Sequence, residues 1–353
     1  MRTFNYEKLA ELHWDNEVLR HVAKIHEYKG RLATFADCNP KEALRLVGIA
    51  KIQSTEYSNR LEGIVTTSTR LRQLVQQKTM PRSRSEREIV GYRDVLNTIH
   101  ESHEYIPIRP SYILQLQHDL MKPAGLSYGG HFRNVQNYIS ETREDGTVVT
   151  RFTPVAPYET KSAIEAICAS YGRTLAMETV DPLILIPVFV CDFLCIHPFN
   201  DGNGRMSRLL TLLMLYQNGY DVGKYISIEA QIAKTQDEYY EALQSVSEAW
   251  HGERNDVMPF IRYMLQVILS CYVEFGSRAN VIGDAAHSAY DVVLAYVKSK
   301  VGRFRGNDAI EACTSAGRSA VLSSLKKLTE EGIIRKEGAG RATFYIRNDD
   351  SGY

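Results

Sequence analysis

The chain has 353 residues, 44% hydrophobic and 24% charged, with 42 Lys and Arg against 42 Asp and Glu. That length supports two or three domains and a sizeable core. A net charge of zero argues against a chain that coats nucleic acid or a membrane surface, so any basic face must be local. Cys38, Cys168, Cys191, Cys195, Cys271 and Cys313 form no CxxC pair and lie mostly in apolar, helix-like surroundings, as expected of reduced core thiols. The N-terminal residues lack an apolar signal core, and the most apolar run, "PLILIPVFVCDFLCI" (182–196), is too short to span a bilayer and carries Asp192. The expectation is a cytoplasmic protein without membrane segments.

In chain order, apolar residues at turn spacing predict helices over 41–62, 85–103, 111–122, 160–177, 181–196, 205–218, 236–250 and 256–275. The first stops at Gly63, a natural helix-ending residue. Residues 134–155 break the pattern: two β-prone arms flank "REDG", with Asp145-Gly146 as the turn signal, which predicts a hairpin set among helices. Residues 276–289 hold few large apolar groups and read as a linker. The tail then predicts helices in "YDVVLAYVKSK", "NDAIEAC" and "AGRSAVLSSLKKLTEEG", and two strands joined across "EGAG" in "IIRKEGAGRATFYIR". Three helices and a hairpin are the order of a winged helix. Residues 291–348 carry eleven Lys and Arg against six Asp and Glu, with Lys326 and Lys327 on the recognition helix, so DNA contact is one expected role. Protein binding or dimerisation is the other. The fold class is mainly α, with an N-terminal helical region over 1–110, a core over 111–275 and a small winged-helix domain over 285–353.

Chemistry concentrates in "HPFNDGNGRMSR" (197–208), between two apolar helices. Gly202, Asn203 and Gly204 let consecutive backbone N–H groups turn toward one anion, and the helix that begins there adds positive potential. Arg205 and Arg208 are three residues apart, so both guanidinium groups can lean toward that anion. Asp201 is a hard oxygen ligand for Mg²⁺ carried by a nucleotide. His197 has the side chain whose ordinary pKa suits deprotonating a hydroxyl. Phe199 most simply anchors the loop. No GxxxxGK[ST] occurs, and "GNGRMS" lacks the third glycine and preceding strand of a dinucleotide fold.

This stretch resembles the signature of the Fic-domain family, HxFx(D/E)GNGRxxR, and matches it without a departure. The resemblance covers residues 40 to 275. It implies a helical core with a β-hairpin flap and transfer of AMP from ATP onto a Ser, Thr or Tyr hydroxyl of a target protein. His197 would be the base and Asp201 would hold Mg²⁺ on the phosphates. Gly202 to Gly204 would cradle those phosphates, Arg205 would steady the β-phosphate region, and Arg208 would grip the γ-phosphate. Met206 and Ser207, between the arginines, fall within the same ATP-binding stretch. The family also implies an inhibitory motif, (S/T)xxxE(G/N), which "SNRLEG" fits with Ser58, Glu62 and Gly63 on a helix over about 41–63. Its glutamate would hold Arg208 away from the γ-phosphate. By the same resemblance Ile139 and Ser140 form the flap edge over the nucleotide, and Tyr239 or Tyr240 of "DEYYEAL" meets adenine, with Trp250 helping to close that pocket. A homodimer is expected by analogy.

Other readings stay open on these residues. The same site suits phosphoryl, uridylyl or phosphocholine transfer, or removal of AMP, because it orders a phosphate near a base without choosing which bond breaks. A nucleotide-sensing DNA-binding regulator is an alternative of another class. His21, His26, His100 and His103 have no cysteine or carboxylate cluster around them and read as structural or surface residues.

Overall fold

The most apolar stretch of the sequence becomes the buried centre of a helical assembly. The computed structural model describes residues 2–142, 146–283, 289–299, 303–313, 316–338 and 343–348. The chain divides into two units, residues 1–272 and 273–353. The first contains α1 (Asn16–Cys38), α2 (Pro40–Arg60), α3 (Ser68–Val75), α4 (Arg84–Ser102), α5 (Pro110–Met121), β1 (Ile139–Thr142), β2 (Val148–Phe152), α6 (Pro157–Met177), α7 (Pro182–Ile196), α8 (Asn203–Gln217), α9 (Val222–Tyr225), α10 (Ile228–Lys234) and α11 (Gln236–Ser247), and α12 (Met258–Gly283) begins in it.

Local rules set many of these boundaries. Asp15, Thr67, Ser83 and Asp181 cap α1, α3, α4 and α7 through their side chains, and proline opens α2, α5, α6 and α7. Helix α7 is apolar nearly all round, α8 is buried nearly all round, and the two pack against each other. Helix α6 covers α7, while α4 packs on α8, α5 and α2. Helix α2 lies against α4, α9 and α10. The loop between α7 and α8 therefore emerges from the buried centre of this unit.

Several elements depart from the sequence expectation: α3, α9 and α10 lie outside the predicted segments, and two further departures have a clear cause. Helix α1 falls outside the predicted segments because its buried apolar residues, Val18, Ile25 and Leu32, recur only once every seven positions. That seam is too narrow for a broad amphipathic signal. Helix α12 runs on through Gly283, so residues 276–283 are not a linker but the last two turns of a helix, with Arg278 paired to Glu274 one turn back. Residues 284–288 lie outside the described residues.

The hairpin forms where expected. Strands β1 and β2 are antiparallel, Ser140 facing Thr150 and Glu141 facing Val149, with a register irregularity between Ile139 and Ser140. Gly146 has φ +81°, while Asp145 of the expected turn lies outside the described residues.

The second unit holds α13 (Ala289–Ser299), β3 (Arg303–Phe304), α14 (Gly306–Ala312), α15 (Arg318–Glu330), β4 (Ile334–Glu337) and β5 (Phe344–Arg347). Its antiparallel sheet has the order β3-β5-β4, and the two-residue β3 was not among the expected elements. Val293, Val297, Val321, Leu325, Leu328 and Ile334 form its own core. Gly338 of the "EGAG" turn is described, whereas residues 339–342 are not.

Cys168, Cys191, Cys195, Cys271 and Cys313 are buried thiols, and burial pushes the Cys168 and Cys313 thiols up to about 12. Among the described residues no helix is long and apolar enough to cross a membrane.

Candidate active site

Helix α7 ends at His197, which adopts a left-handed conformation, φ +52°. Outside glycine that conformation is strained and needs support from its surroundings. The His197 N–H bonds the Phe193 carbonyl at 2.9 Å, and its own carbonyl accepts from Arg133 Nε at 2.8 Å. The ring is partly buried, with Nδ1 3.2 Å from the Leu194 carbonyl. A carbonyl only accepts, so Nδ1 carries the proton and Nε2 keeps its lone pair. Burial lowers the imidazole pKa, the Leu194 carbonyl opposes that shift, Arg133 adds to it, and Glu62 acts in the opposite sense. The result is a neutral base.

Arg133 is the supporting residue that the motif reading missed. It is 2% exposed, and its guanidinium donates to the carbonyls of His197, Ile196, Val135 and Val155. Its backbone N–H bonds Pro198 O at 2.9 Å. One side chain thus ties the base of the hairpin to the histidine turn. A lone arginine in "GGHFRNVQNYI" gives no such signal, because its partners are backbone carbonyls that any sequence supplies.

The turn 198–203 is braced from within. Asn203 accepts the Phe199 N–H at 2.9 Å and donates to the Phe199 carbonyl at 2.8 Å, and Asn137 donates to the same carbonyl at 2.9 Å. Phe199 is fully buried beside Phe132 and Phe193. The Asn203 side chain therefore shapes the loop from behind. Gly202 precedes α8 with φ +83°, and a Cβ there would lie 2.3 Å from Met121 Cε. The first turn of α8 has no helical carbonyl for its N–H groups. Met206 is fully buried in the core, and the Ser207 hydroxyl bonds the Gly204 carbonyl at 2.8 Å, so neither side chain is presented at the loop.

Asp201 stands at the mouth, its side chain 42% exposed. Its Oδ1 accepts the Gly202 N–H at 2.6 Å and lies 3.4 Å from Arg205 Nη2. Among the described residues no group of three or more His, Cys, Asp and Glu could hold a metal by itself. One half-exposed carboxylate is a hard donor that fits Mg²⁺ when phosphate oxygens complete the shell.

The two signature arginines face different carboxylates. Arg208 is 5% exposed and gripped from α2: Nε donates to Ser58 Oγ at 2.8 Å, and Nη2 reaches the Ser58 carbonyl at 2.9 Å and Glu62 Oε1 at 2.7 Å. Glu62 lies just past the helix, since α2 ends at Arg60 and Gly63 takes φ +73°. Its carboxylate occupies the space beside Gly204, where a Cβ would sit 2.1 Å from Oε1. Ser58, Glu62, Arg208 and Gly204 are thus brought together.

The remaining expectations divide. Ile139 is half-buried and Ser140 exposed on β1. Tyr239 is 4% exposed among Tyr240, Phe260 and Tyr263, whereas Tyr240 is 46% exposed. Burial raises both phenols, and both feel the charges of Arg208 and Glu62, so the pair borders the same site, with Tyr240 the member open to solvent. Trp250 instead is fully buried, its indole N–H on Asp192 and its ring on Phe4, Phe152 and His251, which makes it a core support of the hairpin rather than a pocket wall. Lys326 and Lys327 pair with Glu330 and Glu331 one turn on, which offsets part of the positive charge on α15.

Residues 107–215 match the Fic/DOC family. The chain is 26% identical over 184 residues to protein adenylyltransferase fic-1 of Caenorhabditis elegans, covering 51% of this chain and 32% of that protein. It is 27% identical over 234 residues to protein adenylyltransferase Fic of Nematostella vectensis, covering 62% and 47%. The chain therefore spans from about a third to about half the length of these curated relatives. Among solved structures, a Fic family protein from Desulfovibrio desulfuricans G20 superposes with a TM-score of 0.61 at 20% identity, over 97% of this chain and 99% of that one. A fragment of C. elegans Fic-1 gives 0.57 at 19% identity, over 76% and 74%. The fold is a Fic-type helical core with a β-hairpin flap, and residues 107–215 are similar to the Fic/DOC family.

Proposed function

We propose that this chain transfers AMP from ATP to a hydroxyl of a protein and that the contact of Glu62 with Arg208 restrains it. The observation that carries the reading is the neutral imidazole of His197. Its Nδ1 is committed to Leu194, and it immediately precedes a loop and helix N-terminus bearing Asp201, Arg205 and Arg208. In this reaction Nε2 removes the proton of the attacking hydroxyl, the hydroxyl oxygen bonds the α-phosphorus, and the bond from that phosphorus to the bridging oxygen breaks to release pyrophosphate. Asp201, with phosphate oxygens, would hold Mg²⁺, which supplies charge neutralisation on the phosphates. The α8 N-terminus and Arg205 orient the chain of phosphates, and the exposed ring of Tyr240 is the candidate surface for adenine. Arg208 reaches the terminal phosphate once Glu62 leaves it. The second unit we read as a winged helix, supported by its helix order and its antiparallel sheet.

Incubation with Mg²⁺ and ATP labelled on the α-phosphate tests the reading. Glu62→Gly should label protein at least about tenfold more than the native chain, the consequence of freeing one charge-assisted contact. ATP labelled on the γ-phosphate should leave protein unlabelled, and His197→Ala should abolish labelling in the Glu62→Gly background. Transfer of γ-label, or labelling that survives loss of the imidazole, overturns it.

A further inference from the structure

Behind the signature helix lies a carboxylate outside the motif. Glu88, on the first turns of α4, places Oε2 3.0 Å from Arg205 Nη1, with side-chain exposures of 8% and 1%. Its other oxygen takes Arg84 Nε at 3.1 Å, and Arg84 is 64% exposed. On its opposite side Arg205 Nη2 donates to Asp201 Oδ1 in a long contact of 3.4 Å. The first signature arginine is therefore suspended between two carboxylates, one buried and one opening to solvent. Although buried, Nε and Nη1 of Arg205 have no hydrogen-bond partner among the described residues. The Glu88 contact is close in distance but not aligned as a hydrogen bond, so it fixes where the guanidinium lies while leaving those N–H groups available.

Without Glu88 this buried guanidinium keeps, among the described residues, its ion pair with Asp201. It would close onto Asp201 as a tight pair, because desolvated charges need compensation. That collapse would occupy the carboxylate that faces the mouth and withdraw the arginine from the phosphates together. We infer that Glu88 is a positioning residue that shares Arg205 with Asp201 and keeps their contact long, so that the arginine meets nucleotide phosphates and the aspartate meets their Mg²⁺. The inference rests on reading 197–208 as an ATP site. It assigns Glu88 no contact with substrate.

Binding of ATP to full-length protein tests it, measured by calorimetry across a Mg²⁺ series in the Glu62→Gly, His197→Ala background, where no turnover intervenes. Glu88→Gln keeps the shape and removes the charge. The expected result is about a tenfold weaker Kd for ATP, the loss of one charge-assisted contact, with half-maximal binding shifted to higher Mg²⁺. Glu88→Asp should fall between the two. In an Arg205→Ala protein the same Glu88→Gln change should add nothing, because the residue it positions is gone. A purely structural Glu88 would lower thermal stability and the fraction of binding-competent protein, leave Kd and the Mg²⁺ midpoint in place, and have the same effect with or without Arg205. Either that pattern or a tighter Kd on removing the negative charge overturns the inference. Glu62→Gly protein that binds ATP without transferring AMP removes the proposed reaction but leaves this comparison intact; protein that binds no ATP removes both.

Discussion

Gly204 shows how one atom can serve two demands. Its missing side chain is usually read as room for a phosphate, yet here a Cβ would lie 2.1 Å from Glu62 Oε1 and 3.3 Å from Arg208 Nη1. The glycine is needed by the contact of Glu62 with Arg208 itself. Gly204→Ala should therefore destabilise the native chain by displacing the Glu62 carboxylate. In a Glu62→Gly background, where the obstruction is gone, the alanine should instead stabilise by about 0.5–1 kcal/mol through its helix propensity. Denaturant unfolding of the four proteins should give a coupling of about 1–2 kcal/mol, and additive effects would refute the clash.

At the scale of elements, α2 is seated by a buried polar chain. Arg208 Nε donates to Ser58, the Ser58 hydroxyl bonds the Tyr92 oxygen, and Tyr92 donates to Glu229 Oε1 at 2.9 Å. From the other side Ser54 reaches Ser227 at 3.1 Å, and Ser227 donates to Glu229 Oε2 at 2.9 Å. All of these groups are buried, and they join α2 to α4 and α10. A network in which every donor has its acceptor holds an element in one register. Tyr92→Phe breaks it beside Ser58, so the segment bearing Glu62 should leave Arg208 more readily. AMP labelling of the Tyr92→Phe protein is expected to rise about fivefold over native, the worth of one buried hydrogen bond. No further rise should appear once Glu62 is already glycine; a fall in both backgrounds would mean that Tyr92 only supports the fold. Below this segment, Glu86 binds both Arg70 and Thr66, and the Arg70 guanidinium holds its carboxyl down to about 2, so the loop after Glu62 is tied to α4 as well.

Across the whole molecule, each of the two units has its own apolar core, so a single unfolding transition is not expected. Leu325→Ala, at a fully buried site of the second unit, should cost about 2–5 kcal/mol and lower one calorimetric transition while leaving the other in place. A joint shift of both would show that the units unfold as one. The pairing of Glu62 with Arg208, 146 residues apart, was an implication of the family resemblance. The sequence by itself determined the helical class, the hairpin and the clustering of a histidine, an aspartate and two arginines at 197–208. Those features are local in the chain: periodicity, turn residues, and one dense motif whose residue types have few alternative uses. Helix α1 escaped because a seam of Val18, Ile25 and Leu32 is too sparse to read, and residues 276–283 misled because a long helix already nucleated upstream runs on through them with Arg278 paired to Glu274. Only the tertiary structure decided that Arg133 joins the hairpin to the histidine turn, that Tyr240 rather than Tyr239 faces solvent, that Trp250 belongs to the core, and that Glu88 stands behind Arg205. Each of those depends on partners distant in sequence, many of them backbone carbonyls or common carboxylates. Such partners acquire meaning only when folding sets their distance and removes the water between them.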